Sequence, residues 1–164
     1  MSNMIYLKLT GKKQGLISAG CSNTNPTEER FHLSHDNEIS VYKLINTLSR
    51  DGYDPFRHVD IIKPIDKSTP LLANALNDKE RLICEFFFYR TGDYGRKELY
   101  FKFILQNAFL TDIRFIYPNS LLNSDCNPHE SLSFAYSSAI FEHVKGQTRS
   151  LLTGNESVQQ SDYI

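Results

Sequence analysis

Leu82-Ile-Cys-Glu-Phe-Phe-Phe-Tyr89, Arg90-Thr-Gly-Asp-Tyr-Gly-Arg96, Lys97-Glu-Leu-Tyr-Phe-Lys-Phe-Ile-Leu-Gln106 and Phe109-Leu-Thr-Asp-Ile-Arg-Phe-Ile-Tyr117 follow one another near the middle of a 164-residue chain. Aromatic and β-branched runs suit pleated backbone, and glycine supplies the positive φ of a tight reversal. Three antiparallel strands are therefore expected, with Gly92-Asp-Tyr-Gly95 as the turn between the first two. Side chains alternate along a strand, so Leu99, Phe101, Phe103 and Leu105 share one face while Tyr100, Lys102, Ile104 and Gln106 share the other. The first face is wholly apolar. The second mixes Tyr100 and Ile104 with charge, less cleanly than a face turned only to water, so a helix or another subunit is expected to half cover it. In the last strand Phe109, Ile113, Phe115 and Tyr117 are set against Leu110, Asp112, Arg114 and Ile116.

On the N-terminal side, Ile5, Leu7 and Leu9 alternate with Tyr6 and Lys8 as a first strand, and Gly15 to Cys21 reads as a second. Ser22 to Glu29 is turn chemistry. Arg30 to Leu33 and Glu38 to Tyr42 read as strands, the latter with Ile39 and Val41 on one face. Lys43 to Arg57 has no clean period and reads as a long excursion in which Leu48, Tyr53 and Phe56 are apolar groups available for a contact. Extended structure resumes from His58 to Ile65, closed by Pro64, which lacks a ladder donor. Ser68-Thr69-Pro70 then opens a short helix, with Thr69 as cap and Leu72, Ala75 and Leu76 on its buried side. Pro118 to Glu130 reads as a loop, and Leu132 to Val144 as one long final strand. The polar remainder, 146–164, is expected to be a flexible tail after a single domain over 1–145.

Apolar content of 40% and aromatic content of 12% indicate a folded protein, and a chain of this length buries roughly 70% of its unfolded surface. A formal net charge of −1 without a long basic run argues against nucleic acid. No signal-peptide pattern opens the chain and no apolar run is long enough to span a bilayer, so neither membrane insertion nor the general export route is expected. Cys21, Cys84 and Cys126 read as free thiols of a protein made in the cytoplasm.

Catalytic patterns are missing. There is no Gly-x-Ser-x-Gly elbow, Cys84 sits inside a strand as a small hydrophobe, and the acidic pairs Glu28-Glu29 and Asp51, Asp54 have no partner to tune them. His32-x-x-His35 and Cys126-x-x-His129 have metal-like spacing, but such short pairs arise by accident and no second cysteine pair supports them. No enzyme activity, metal or other cofactor is expected.

Several segments together resemble the Hcp family, the tube-forming haemolysin-coregulated proteins of bacterial type VI secretion. They are Ile5-Tyr-Leu-Lys-Leu9, Gly15-Leu-Ile-Ser-Ala-Gly-Cys-Ser22, His35-Asp-Asn-Glu-Ile39, Ile62-Lys-Pro-Ile-Asp-Lys-Ser-Thr-Pro-Leu-Leu72, Cys84-Glu-Phe-Phe-Phe-Tyr-Arg90, Tyr100-Phe-Lys-Phe-Ile-Leu-Gln-Asn107 and Glu130-Ser-Leu-Ser-Phe-Ala-Tyr136. The resemblance implies a mainly β fold, a small antiparallel β-barrel with one short side helix, like a phage tail tube. It also implies six-membered rings that stack inside a contractile sheath and are expelled, with tail-spike and sheath proteins and effector cargo as partners. Such a protein is cytoplasmic before assembly and then secreted. Some enteric relatives carry a toxin domain after the tube domain, and the tail here is too short for one. Ser22 to Leu33 and Lys43 to Arg57 match the family least. Leu48, Tyr53, Phe56, Tyr100 and Ile104 are the expected subunit-interface residues. The competing reading is a monomeric β-barrel carrier of a small apolar ligand, although Phe101, Phe103, Phe115 and Phe134 would fill its interior.

Overall fold

A computed structural model describes residues 3–22, 35–50, 56–122 and 125–153. In chain order the strands are β1 (Met4–Gly11), β2 (Gly15–Leu16), β3 (Ile39–Val41), β4 (Lys43–Asn46) and β5 (Arg57–Pro64), then helix α1 (Thr69–Asn77). After it come β6 (Leu82–Thr91), β7 (Lys97–Ile116), β8 (His129–Tyr136), β9 (Ser138–His143) and β10 (Thr148–Leu152). All ladders are antiparallel. Arg30 to Leu33, expected as a strand, lie outside the described residues.

The strands form two layers that share β7. Its first half pairs with β6 and β9, and β1, β2, β3 and β10 complete that layer. Its second half pairs with β8, which continues to β5 and β4. The two strands expected over 97–117 are thus one strand of 20 residues that bends at Asn107, whose φ of 54° is left-handed. Asparagine accepts that conformation better than most side chains. A second irregularity, a register shift between Leu110 and Asp112, resets the alternation. Leu110 therefore shares the inward side with Ile113, which packs against the core, and with Phe115, which lies near the end of the strand opposite Glu130 and is 46% exposed.

The core lies between the layers. Leu7, Leu9, Phe86, Phe103 and Leu105 from one layer meet Val59, Ile61, Leu132, Phe134 and Tyr136 from the other, all fully or almost fully buried. Phe103 is its centre, stacked on Phe86 and Phe141 at 5.8 and 4.6 Å between centroids and edge-on to Tyr136 at 6.0 Å. The sheet is not closed as a hydrogen-bonded ring. Its order runs β2-β1-β6-β7-β8-β5-β4, and the ends are linked through the chain itself, because β4 continues around Tyr42 into β3, which pairs with β1. The barrel expected from sequence is to that extent an open sheet folded over its own core.

Other differences are local. Gly15 to Cys21 gives only the two-residue β2, followed by turns. Lys43–Asn46 forms a strand rather than part of a loop. The long final strand divides at Ser137 into β8 and β9. Thr148–Leu152, placed by sequence in the tail, pairs with β9. The helix begins one residue earlier than expected. Ser68 holds the N-cap position without a side-chain cap bond, and Thr69 is the first helical residue. Leu72 and Ala75 are buried and α1 packs on β7.

The helix exit is fastened by Glu80. Lys79 turns the chain with φ 49°, and the Glu80 carboxylate, 4% exposed, accepts from the Lys13 and Gln14 amides at 2.6 and 2.8 Å and from Gln14 Nε2 at 2.8 Å. The turn after β1 is thereby tied to the end of α1, and Gly11 leaves the space the carboxylate occupies. Glu80→Ala strands these donors and is expected to lower unfolding free energy by about 2 kcal/mol, measured by urea titration.

Candidate assembly surfaces

The outward side of the β6–β7–β9 layer follows from register. Lys102, Glu142 and Arg149 lie directly opposite one another on β7, β9 and β10, and Ile104, Ile140 and Leu151 form the adjacent row. Because Phe103 and Leu105 point into the core, both rows point outward. Ile104 is half-buried and Leu151 is 59% exposed. Tyr100 is half-buried beneath the Arg90 guanidinium, 4.9 Å from its ring centre, with His143 at its edge. Arg90 and Lys145 both bind Glu98, at 2.9 and 2.6 Å. These hydrogen bonds, Lys145 first, hold the Glu98 carboxyl below its ordinary range.

The outward side of the other layer is a shallow, mostly polar saddle. Lys43, Ile62, Ser131 and Arg114 form one row across it, and Ile45, Asp60, Ser133 and Asp112 the next. Ser133 donates to Asp60 at 2.6 Å. Leu48, just beyond β4, is 51% exposed. Phe56 packs within its own chain, edge-on to Phe109 at 5.4 Å, and Phe109 in turn lies under Arg81 and Lys79 at 4.7 and 5.3 Å. Tyr53 lies outside the described residues. The structure therefore groups Tyr100 and Ile104 on one layer and leaves Leu48 on the other.

Further exposed apolar groups escaped the sequence reading. Tyr94, at the tip of the β6–β7 hairpin, is fully exposed, and Tyr117, Leu121 and Leu122 are 70%, 91% and 80% exposed after β7. The adjacent leucines in a polar loop were the available signal, since loops rarely place two large apolar side chains together without a contact to make.

Among the described residues the interior is filled by side chains. Phe86, Phe103, Phe134 and Tyr136 fill it, Phe101 packs against it, and the described depressions are on the outside. What it does hold is charge. Lys63 and Glu130, both wholly buried, are ion-paired, and Lys63 also reaches Asp66 at 3.1 Å while Thr69 donates to Glu130 at 3.1 Å. This ties β5 and β8 to the start of α1.

Two of the thiols lie where their surroundings disfavour the thiolate. Burial, and secondarily Glu85, pushes the Cys84 thiol far up, which suppresses its thiolate. Burial, then Asp66, also raises Cys21. His35 bonds Glu38 at 2.6 Å and stacks on Tyr6 at 3.9 Å, while its partner in the spacing argument, His32, lies outside the described residues. Among the described residues no three His, Cys, Asp or Glu side chains gather as a metal site, and no helix is long and apolar enough to cross a membrane.

Comparison with known proteins adds identity to this geometry. The family model described as "Type VI secretion system effector, Hcp" matches residues 6–143. The "Major exported protein" of Pseudomonas aeruginosa is 32% identical over 124 residues, covering 70% of this chain and 72% of that protein. The "Uncharacterized protein YhhZ" of Escherichia coli K12 is 36% identical over 149 residues, 90% of this chain, but the chain spans only 37% of its length. Among solved structures, "Crystal structure of Hcp protein" superposes with a TM-score of 0.81 at 29% identity, covering 94% of this chain and 99% of that one.

Proposed function

The chain belongs to the Hcp family of type VI secretion, and from that premise we propose that it is a tube subunit: copies close into hexameric rings, the rings stack, and the stack is expelled. The observation that carries this reading is the combination of a filled core with large apolar side chains left outside it, at Leu48, Tyr94, Tyr117, Leu121 and Leu122. A ring supplies neighbours for such surfaces and for open strand edges. Export is supported by the exported relative. Effector cargo, sheath and tail-spike partners follow from the family reading and belong to the same proposal, as does a barrel closed through the β3–β4 bend.

Leu48, Tyr53, Phe56, Tyr100 and Ile104 remain the proposed subunit contacts, with Phe56 acting through the Phe109 stack as well. Sedimentation with negative-stain imaging tests the proposal. The expected result is a discrete species of six subunits with annular projections, stacking at high concentration. Ile104→Asp and Tyr53→Ala are expected to shift that species toward monomer, with a melting temperature of the monomer changed little. A clean monomer of the parent chain at high concentration overturns the reading.

A further inference from the structure

Two rows of charge on the outer faces of the two layers match in sign and spacing. Across β5, β8 and β7, the register Asp60, Ser133, Asp112 sets two carboxylates two strands apart with a hydroxyl between them. Across β7, β9 and β10, the register Lys102, Glu142, Arg149 sets two cations two strands apart with a carboxylate between them. Neighbouring strands are about 4.8 Å apart, so each triplet spans about 9.6 Å. Among the described residues Asp112, Lys102, Glu142 and Arg149 form no ion pair within the chain, and Asp60 accepts only the Ser133 hydroxyl.

We propose that a second copy of this chain docks its Lys102–Glu142–Arg149 row onto the Asp60–Ser133–Asp112 row of the first. The two outer positions then form cation–carboxylate pairs, and the central Ser133 hydroxyl turns from Asp60 to donate to Glu142. Ile62 beside the acidic row, and Ile104 and Leu151 beside the basic one, provide apolar contact that excludes water. The two surfaces differ, so the contact is heterologous: the first copy keeps its basic row free and the second its acidic row, and further copies add by the same contact until a ring closes. Complementary rows of this sort fix which faces meet and in what register more than they set total strength. The inference deepens the tube reading and rests on it.

Row exchange tests it. Asp60→Lys with Asp112→Lys makes the acidic row basic, and Lys102→Glu with Arg149→Glu makes the basic row acidic. Each variant alone then opposes like charges and is expected to associate at least about tenfold more weakly than the parent in sedimentation at moderate salt. An equimolar mixture of the two regains the parent assembly in alternating copies, because the altered row of one variant faces the altered row of the other and the two unaltered rows face each other. Circular dichroism melts confirm folding. Should the lysine variant fail to fold, Asp60→Asn with Asp112→Asn takes its place, with weakened association expected and unchanged association overturning the contact. If the parent assembles and each exchanged variant assembles as well as the parent, the contact is wrong while the tube reading stands. If both fold, both fail alone and the mixture stays dissociated, the pairing of these rows is wrong. A parent that remains monomeric removes the tube reading and this contact with it.

Discussion

Glu130→Ala is expected to lower unfolding free energy by about 3–5 kcal/mol in denaturant titration, the range found when one member of a buried ion pair is deleted. The cause is Lys63, which has no exposed surface. With Glu130 gone, its ammonium keeps Asp66 at 3.1 Å and the Pro64 carbonyl at 2.8 Å, but loses the charge that lies beside it in the core. The Glu130 carboxylate also receives the Thr69 hydroxyl, so the start of α1 loosens with it. Removing both charges together, Lys63→Met with Glu130→Leu, is expected to recover most of the loss, because apolar pairs of similar volume replace such bridges well. A loss below about 1 kcal/mol for Glu130→Ala would mean that Lys63 finds water, as a surface pair would.

Phe103→Ala is the second large effect, a loss of about 3–5 kcal/mol from lost transfer energy and the cavity left behind. Three rings close on Phe103, from Phe86, Phe141 and Tyr136, and none can follow a missing neighbour without leaving its own strand register. Phe115→Ala provides the contrast. That side chain is 46% exposed, and the change is expected to stay within about 0.5 kcal/mol for the isolated subunit. Equal losses at the two positions in urea titration would contradict the placement of the core.

Most of the fold was legible because pleated backbone writes its burial into alternate positions. Leu7 and Leu9, Ile39 and Val41, Val59 and Ile61, and Phe103 and Leu105 are all inside as their spacing required. The misreadings share a cause. Alternation carries no record of where a strand bends or slips, so the bend at Asn107, the reset after Leu110 and the break at Ser137 were misassigned or missed. In β4 the exposed member of the pair is Ile45 and the covered one beside Tyr136 is Asn46, whose carbonyl accepts from the Tyr136 hydroxyl at 2.7 Å, so the pattern there is inverted in polarity. Lys63 and Glu130 stand 67 positions apart, and only the β5–β8 register makes them partners. The assembly surfaces were harder still. Register places Ile104 among outward apolar groups, but that Phe56, just before β5, rests on Phe109 of β7 depends on distant parts of the chain meeting, which no local spacing encodes.

The unbroken path of β7 through both layers has a mechanical meaning. Force applied along its first half passes to its second half through covalent bonds, without slipping at the packed interface between side chains. A load taken up by one layer of a pushed subunit is therefore handed on to the other: β6 and β9 grip the same strand that β8 grips.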